Sequence, residues 1–134
     1  MNKRAVAIQF GHSLDKDDYD TTRSILAVDC EYIIGDKVLT GPVEIAKSYE
    51  DNMIEGKKKL DKLEWGQSRV EAIDEHEFYV HFTDYLGHNG KEYIHRCKQK
   101  VTVGNNDKVI RIEHIDDPVE QENLNKYYRS VGLK

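Results

Sequence analysis

Cysteine and proline are scarce in this 134-residue chain, which contains two residues of each. Two cysteines, Cys30 and Cys97, cannot build the disulfide framework that stabilises small secreted domains, and they do not form a CxxC motif. We therefore expect free thiols and a cytoplasmic protein. No apolar run approaches the roughly 20 residues that a membrane-spanning helix needs, so we expect no membrane contact.

Positive charge is also in deficit, because 20 Lys and Arg residues face 25 Asp and Glu residues and leave a net charge of −5. The only basic run, residues 57–59, is flanked by acidic residues. This balance argues against nucleic acid as a partner. A chain of this length can bury a hydrophobic core without covalent staples, and we expect a single domain over residues 1–134.

The strongest pattern that is present is a long β-hairpin over residues 78–103. In its first arm, the apolar residues Phe78, Val80 and Phe82 alternate with Tyr79, His81 and Thr83, which carry polar groups. This alternation is the pattern of a half-buried strand. Asn89 and Gly90 follow, and this pair favours a two-residue type I′ turn because both residues tolerate the positive φ that the turn requires. A third strand is expected over residues 108–116, after a second turn at residues 104–107.

The two turns fix the expected pairing of these strands. The first places Asp84 opposite His95 and Phe82 opposite Cys97. The second, as a four-residue loop, places Cys97 opposite His114. Both registers assign the same residues to an inner face that packs against helices, and the remainder to an outer face. The predicted inner face comprises Phe78, Val80, Phe82, Asp84, His95, Cys97, Gln99, Val101, Ile110, Ile112 and His114.

The remaining elements follow from helical periodicity and capping residues. Pro42 suits the first position of a helix, where its missing N–H costs no hydrogen bond, and Asp15 is the expected N-cap of a second short helix. Helices on one face of an antiparallel sheet make an α+β fold. The expected core covers residues 1–117 and the C-terminal helix lies within 118–134. The predicted helices cover residues 2–13, 15–26, 42–60 and 119–131, and the further strands cover residues 28–34 and 65–74.

Two stretches carry a resemblance to a known superfamily. The second of them reads Asn-Asp-Lys-Val-Ile-Arg-Ile over residues 106–112, and Asp-Asp-Pro follows at residues 116–118. On these motifs the chain resembles SnoaL-like members of the nuclear transport factor 2-like superfamily, up to about Pro118. The first stretch combines an acidic helix start, a strand that begins near an Asp, a turn and a helix that ends in Tyr, at Asp17, Asp18, Asp29, Gly35, Gly41, Ile45 and Tyr49.

The resemblance implies a strongly curved antiparallel sheet that wraps around helices to form a cone, with a cavity between sheet and helices. It also implies a homodimer through the outer sheet face. It does not imply one reaction, because the superfamily includes isomerases, cyclases, dehydratases, hydrolases and plain binding domains. We reject ketosteroid isomerase chemistry, because the positions of its base and oxyanion hole are occupied by Ile34, Gly11 and Gln99.

Three inner-face residues, Asp84, His95 and His114, are the candidate catalytic residues. A carboxylate beside an imidazole orients the ring, whose pKa lies near neutrality, and the pair can act as a general base. His114 is then placed to donate to a developing oxyanion. The residues expected to contact a ligand are Asp29, Tyr32, Tyr49, Trp65, Phe82, Cys97, Gln99 and Ile112.

Other interpretations of the same residues stay open. His95, Cys97 and His114 with one Asp have the ligand types of a zinc site, but the spacing is unspecific and we predict neither metal nor cofactor. Cys97 and His114 are also a candidate nucleophile pair, although nothing nearby would activate the thiol. The simplest alternative is a polar cavity that binds water and a neutral ligand without chemistry.

The sequence therefore predicts a homodimeric domain that binds a small organic molecule. A cofactor-independent isomerase, cyclase, dehydratase or hydrolase that works by proton transfer is the catalytic form of this hypothesis. The alternative is a non-catalytic dimerisation or protein-docking domain. An open cavity with histidines in it favours the first function, whereas a cavity filled by aromatic side chains favours the second.

Overall fold

The computed structural model describes residues 2–134, which form four helices and one curved, unclosed seven-stranded sheet. The predicted α+β class with a C-terminal helix is confirmed. Within the described residues, every helix is too short or too polar to cross a membrane. The helices are α1 (Lys3–Asp15), α2 (Tyr19–Ile25), α3 (Pro42–Lys59) and α4 (Pro118–Ser130). The strands are β1 (Leu26–Ile34), β2 (Lys37–Thr40), β3 (Lys62–Trp65), β4 (Arg69–Ala72), β5 (Glu77–His88), β6 (Lys91–Val103) and β7 (Val109–Ile115).

The strands lie in the order β2-β1-β7-β6-β5-β3, and β4 also pairs with β5. All pairs are antiparallel except β1 with β7, which run parallel. The sequence predicted only antiparallel pairing. No short turn joins β1 to β7, because β2, α3 and four further strands lie between them in the chain, so local turn chemistry does not dictate their direction.

The long hairpin has the predicted register. Asp84 lies opposite His95 and Phe82 lies opposite Cys97. Asn89 and Gly90 have φ values of 50° and 79°, as a type I′ turn requires.

The predicted register between β6 and β7 was wrong by two residues. His114 lies opposite Gln99 instead of Cys97. The connection after Val103 is one residue longer than predicted, because Val103 pairs with Val109, and an irregularity between Thr102 and Val103 adds the second residue of the offset. A shift of two keeps His114 on the predicted face, because side chains alternate with period two. Ile110, beside the irregularity, is 41% exposed instead of buried.

The strand near residue 66 and the start of α2 also differ from the prediction. The single strand expected over residues 65–74 is divided into β3 and β4, which pair with different parts of β5. Asp18, not Asp15, is the N-cap of α2 and accepts a hydrogen bond from the backbone N–H of Thr21. Asp15 instead ends α1 and binds the segment between β3 and β4, where the backbone N–H and hydroxyl of Ser68 both donate to its Oδ2 at 2.8 Å.

Two hydrophobic clusters lie on the inner face of the sheet. We name the first the α1 cluster and the second the α4 cluster, after the helices that cover them. The α1 cluster contains Val6, Ala7, Phe10, Ile25, Leu26, Cys30, Tyr32, Ile45, Phe78, Val80, Val101, Val103, Val109 and Ile112, among others. The α4 cluster contains Leu60, Leu86, Leu124, Tyr127 and Val131.

Candidate functional site

A cavity of about 210 Å³ opens on the inner face of the sheet between the two clusters. The order of residues along β5 shows this placement. Phe78 and Val80 belong to the α1 cluster, Leu86 belongs to the α4 cluster, and Phe82 and Asp84, which come between them, line the cavity. The same period-two alternation that builds the core therefore aims these side chains into the cavity.

Tyr32 and Tyr49 form one wall, with stacked rings whose centroids are 5.1 Å apart. Gln99 joins their hydroxyl groups, because Tyr49 Oη donates to Gln99 Oε1 at 2.7 Å and Gln99 Nε2 donates to Tyr32 Oη at 2.8 Å. Burial raises the pKa of Tyr32 to about 12 and raises the pKa of Tyr49 as well. This wall therefore presents neutral hydrogen-bonding groups held in place by a buried amide.

Trp65 and Tyr19 form a second aromatic wall, and both side chains donate hydrogen bonds to Asp17. Trp65 Nε1 donates to Asp17 Oδ1 at 2.7 Å, and Tyr19 Oη donates to the same oxygen at 3.0 Å. The other carboxylate oxygen of Asp17 lies 3.7 Å from Lys57 Nζ. One residue in the α1–α2 connection thus fixes the orientation of two rings that line the cavity.

Asp84 is the most strongly perturbed acid of the cavity. Burial is the main cause that raises the pKa of its carboxyl group to about 6; the nearby charge of His95 lowers this pKa and that of Asp15 contributes to the rise. No hydrogen bond or ion pair reaches this carboxyl group from residues 2–134. A carboxyl group in this state exchanges a proton near neutral pH.

The two histidines occupy different places. His114 lines both the cavity and an adjoining groove between β6 and the start of α4, whereas His95 lines the groove alone. His95 Nδ1 lies 3.2 Å from Glu120 Oε2, and this oxygen also accepts a hydrogen bond from the hydroxyl of Tyr93. Cys97 borders both the cavity and the groove, so the two spaces meet at the end of β7.

Solved structures share this architecture over nearly the whole chain. A structure of TerC, co-crystallised with polyporic acid, is 15% identical with a TM-score of 0.69, and covers 92% of this chain and 98% of that chain. An NTF2-like protein of unknown function from Burkholderia pseudomallei is 13% identical with a TM-score of 0.67, and covers 92% and 97%. The chain has the nuclear transport factor 2-like fold.

A third match with this nuclear transport factor 2-like fold is a proposed polyketide cyclase from Xanthomonas campestris pv. campestris. It is 14% identical with a TM-score of 0.67, and covers 89% of this chain and 93% of that chain. No family model matches the sequence, and no curated protein matches it significantly. The fold that the two short motifs implied is thus confirmed, and identities of 13 to 15% establish the fold alone.

Three of the residues predicted for the site lie elsewhere in the nuclear transport factor 2-like fold. Asp29 is exposed, because β1 alternates and directs Cys30 and Tyr32 inward instead. Ile112 is fully buried in the α1 cluster. His95 is drawn into the groove by Glu120. The predicted residues that line the cavity are Tyr32, Tyr49, Trp65, Phe82, Asp84, Cys97, Gln99 and His114.

The sequence analysis missed several lining residues, among them Asp15, Asn52 and Met53. Asn52 and Met53 had a usable signal, because they follow Tyr49 by three and four residues and therefore share its side of α3. Asp15 had none, since its role depends on the break between β3 and β4.

The other polar groups of the cavity do not form a nucleophile or a metal site. Burial raises the pKa of the Cys97 thiol to about 12, and the charge of Asp84 raises it further. A thiol with so high a pKa is a poor nucleophile. Within residues 2–134, the side chains of His, Cys, Asp and Glu do not converge in groups of three or more that fit a metal ion.

Proposed function

We propose that the chain binds a small organic molecule in the cavity and transfers a proton to or from it through Asp84. The observation that carries this proposal is a partly buried carboxyl group that faces an open cavity without a hydrogen-bond donor or ion-pair partner from residues 2–134. Its pKa of about 6 lies where a general base is most effective.

The neighbouring groups suit a substrate that develops negative charge on oxygen. His114 and the Tyr32–Gln99–Tyr49 network offer polar groups opposite and beside Asp84. Proton abstraction next to a carbonyl, followed by isomerisation, cyclisation or elimination, needs such a base and such donors and no cofactor. A small-molecule function is also consistent with the similarity to a proposed polyketide cyclase and to TerC, the latter co-crystallised with polyporic acid.

The test begins with a ligand screen by protein-observed NMR, in which shifts should concentrate on Tyr49, Trp65 and Phe82. Each ligand found is then incubated in D2O, and deuterium incorporation into it is measured by mass spectrometry. Asp84→Asn should abolish incorporation, whereas Asp29→Asn, which alters an exposed carboxylate, should leave it unchanged. If Asp84→Asn incorporates as much deuterium as Asp29→Asn, Asp84 does not transfer the proton. If the NMR shifts are confined to the outer sheet face, the ligand does not bind in the cavity.

A homodimer through the outer sheet face is the second proposal, and it serves either a catalytic or a docking function. Tyr85 and Ile94 are directly opposed on this face and are 38% and 43% exposed. Aromatic and aliphatic side chains are favoured at such interfaces. Light scattering should report twice the chain mass, and Ile94→Glu should return the protein to a monomer. A monomeric wild-type protein at high concentration contradicts this proposal.

A further inference from the structure

We infer that the ligand of the cavity carries a positive charge, as a protonated arylalkylamine does. The inference rests on the proposed binding function and adds the ligand class. Two carboxyl groups and five aromatic side chains line the cavity, while none of its described lining residues is Lys or Arg. A positively charged ligand supplies the one charge that this arrangement lacks.

The charge balance around Asp84 favours a cationic ligand. Asp15, the second carboxylate, is held by two hydrogen bonds to Oδ2 from Ser68, and its Oδ1 remains available to a ligand. Asp84 lies in the same wall without a hydrogen-bond donor. A buried carboxylate without a partner is unfavourable, and an ammonium group beside it removes that cost.

His95 does not neutralise this region. It lies opposite Asp84, but its Nδ1 contacts Glu120, so a protonated imidazole would be shared between two carboxylates. His114 is the remaining titratable base of the lining. The described lining of the cavity holds two carboxyl groups, Asp15 and Asp84, and no Lys or Arg, so its charge is negative where these groups are ionised and a carboxylate or phosphate ligand would be repelled.

The aromatic walls also favour a cationic ligand. The faces of Trp and Tyr rings attract cations that lie within about 6 Å of the ring centroid, and Trp is the most effective. Trp65 and Tyr19 also donate hydrogen bonds to Asp17, which places a further negative charge at the edges of the two rings. Lys57 offsets part of this charge from 3.7 Å, but its side chain is about half exposed and screened by water.

The aromatic walls and the carboxylates therefore select the same ligand chemistry. A ring system that carries an amine can stack against Tyr32 or Phe82 while its ammonium group meets Asp84. A neutral ligand of the same shape would stack equally well, but it would leave the carboxylate unpaired. The difference between these two ligands is what the experiment measures.

The test uses probes matched in shape and different in charge: phenethylamine, phenethyl alcohol and phenylacetate, with the corresponding naphthyl series as a larger set. Binding is measured by isothermal titration calorimetry and NMR at about pH 8, where an Asp carboxyl group of raised pKa is still ionised. The amine should bind at least about tenfold more tightly than the alcohol, as expected for a hydrogen bond to a charged group. Phenylacetate should bind most weakly.

The variants identify the charge responsible. Asp84→Asn should reduce amine affinity to that of the alcohol, and the chemical-shift dispersion of its NMR spectrum shows whether the variant is folded. Asp29→Asn, a carboxylate outside the cavity, should change neither affinity.

The failures are distinguishable. If the alcohol or phenylacetate binds in the cavity as tightly as the amine, the inference is overturned while the proposed binding function stands. If all probes in both series fail to shift cavity resonances, the inference is overturned and the binding function loses its support. If amine affinity survives Asp84→Asn, the assigned counter-charge is wrong and the inference falls.

Discussion

The inner face of β5 is packed against a helix at one place and borders the cavity at the next. Phe78 and Val80 are buried in a packed core, whereas Phe82 and Asp84, one and two alternations further along, border open space. The strand, the pairing partner and the side-chain alternation are the same at both places. The difference must therefore come from what covers the sheet, not from the sheet itself.

The cover is α1, and it ends where the cavity begins. Gly11 brings this helix close to the sheet, because a Cβ added there would lie 3.0 Å from Val80 Cγ1 and 2.5 Å from Ser68 Oγ. The helix ends four residues later at Asp15, which already lines the cavity. A packed core and a binding cavity thus lie side by side because one helix stops, and the α4 cluster closes the far end.

The packed place should show the largest effect on stability. Phe10→Ala removes a fully buried ring from the α1 cluster and should lower the free energy of unfolding by about 3 to 5 kcal/mol. Phe82→Ala, the matched variant beside the cavity, should cost under about 2 kcal/mol because that ring already borders open space. Urea denaturation measures both. Equal losses would show that the two places are packed alike.

Asp84 should give the second largest effect, with the opposite sign. Its folded-state pKa of about 6 lies above the ordinary value of 3.8, so the native state binds this proton more tightly than the unfolded state does. Stability is therefore gained as pH falls from above 6 to below 4. At pH 8, Asp84→Asn should raise the free energy of unfolding by about 2 to 3 kcal/mol, and this gain should vanish below pH 4.

The control for this prediction is Asp29→Asn, whose exposed carboxylate should not change the pH dependence. Urea denaturation at a series of pH values provides the comparison. A wild-type protein whose stability falls between pH 6 and pH 4, with no gain from Asp84→Asn, would mean that Asp84 is not a desolvated acid.

The sequence predicts which strand residues face inward, but it does not predict where the cavity begins and ends. The Asn89–Gly90 turn determined the β5–β6 register, and the alternation then placed Phe82, Asp84 and Cys97 correctly. A turn and a period-two pattern are local properties, so they can be read without the fold. The β6–β7 offset, by contrast, depends on a longer connection after Val103 and on an irregularity between Thr102 and Val103, and neither follows from a local sequence pattern.

The errors at the site have the same origin. His95 was expected in the cavity, but Glu120, 25 residues away in the chain, binds it outside. Asp15 looks like an N-cap because capping is a local signal, while its bonds to Ser68 arise only when β3 and β4 separate. Long-range partners decide which residues line the space, and a single sequence does not reveal them.

Gln99 belongs to the boundary between the two places and should have a moderate effect. Gln99→Leu keeps the volume but removes both hydrogen bonds to the hydroxyl groups of Tyr32 and Tyr49. Leaving buried polar groups unpaired should cost about 1 to 3 kcal/mol. Gln121→Leu, the same substitution at an exposed glutamine that donates only to Asn125, serves as the control. If Gln99→Leu is as stable as wild type in urea, water already satisfies the two hydroxyl groups.

The far boundary of the cavity should respond least. Glu120 joins α4 to β6 through Tyr93 and His95, in a place where its side chain is 19% exposed. Glu120→Gln keeps an acceptor but removes the charge, so global stability should fall by only about 1 kcal/mol. Hydrogen exchange should nevertheless accelerate selectively in α4, because the helix is fastened there by one small cluster.

Glu122→Gln, which removes only an exposed pair with Arg129, should leave exchange unchanged. Faster exchange in α1 as well would mean that the two ends of the inner face open together, and that the helix covers do not act separately.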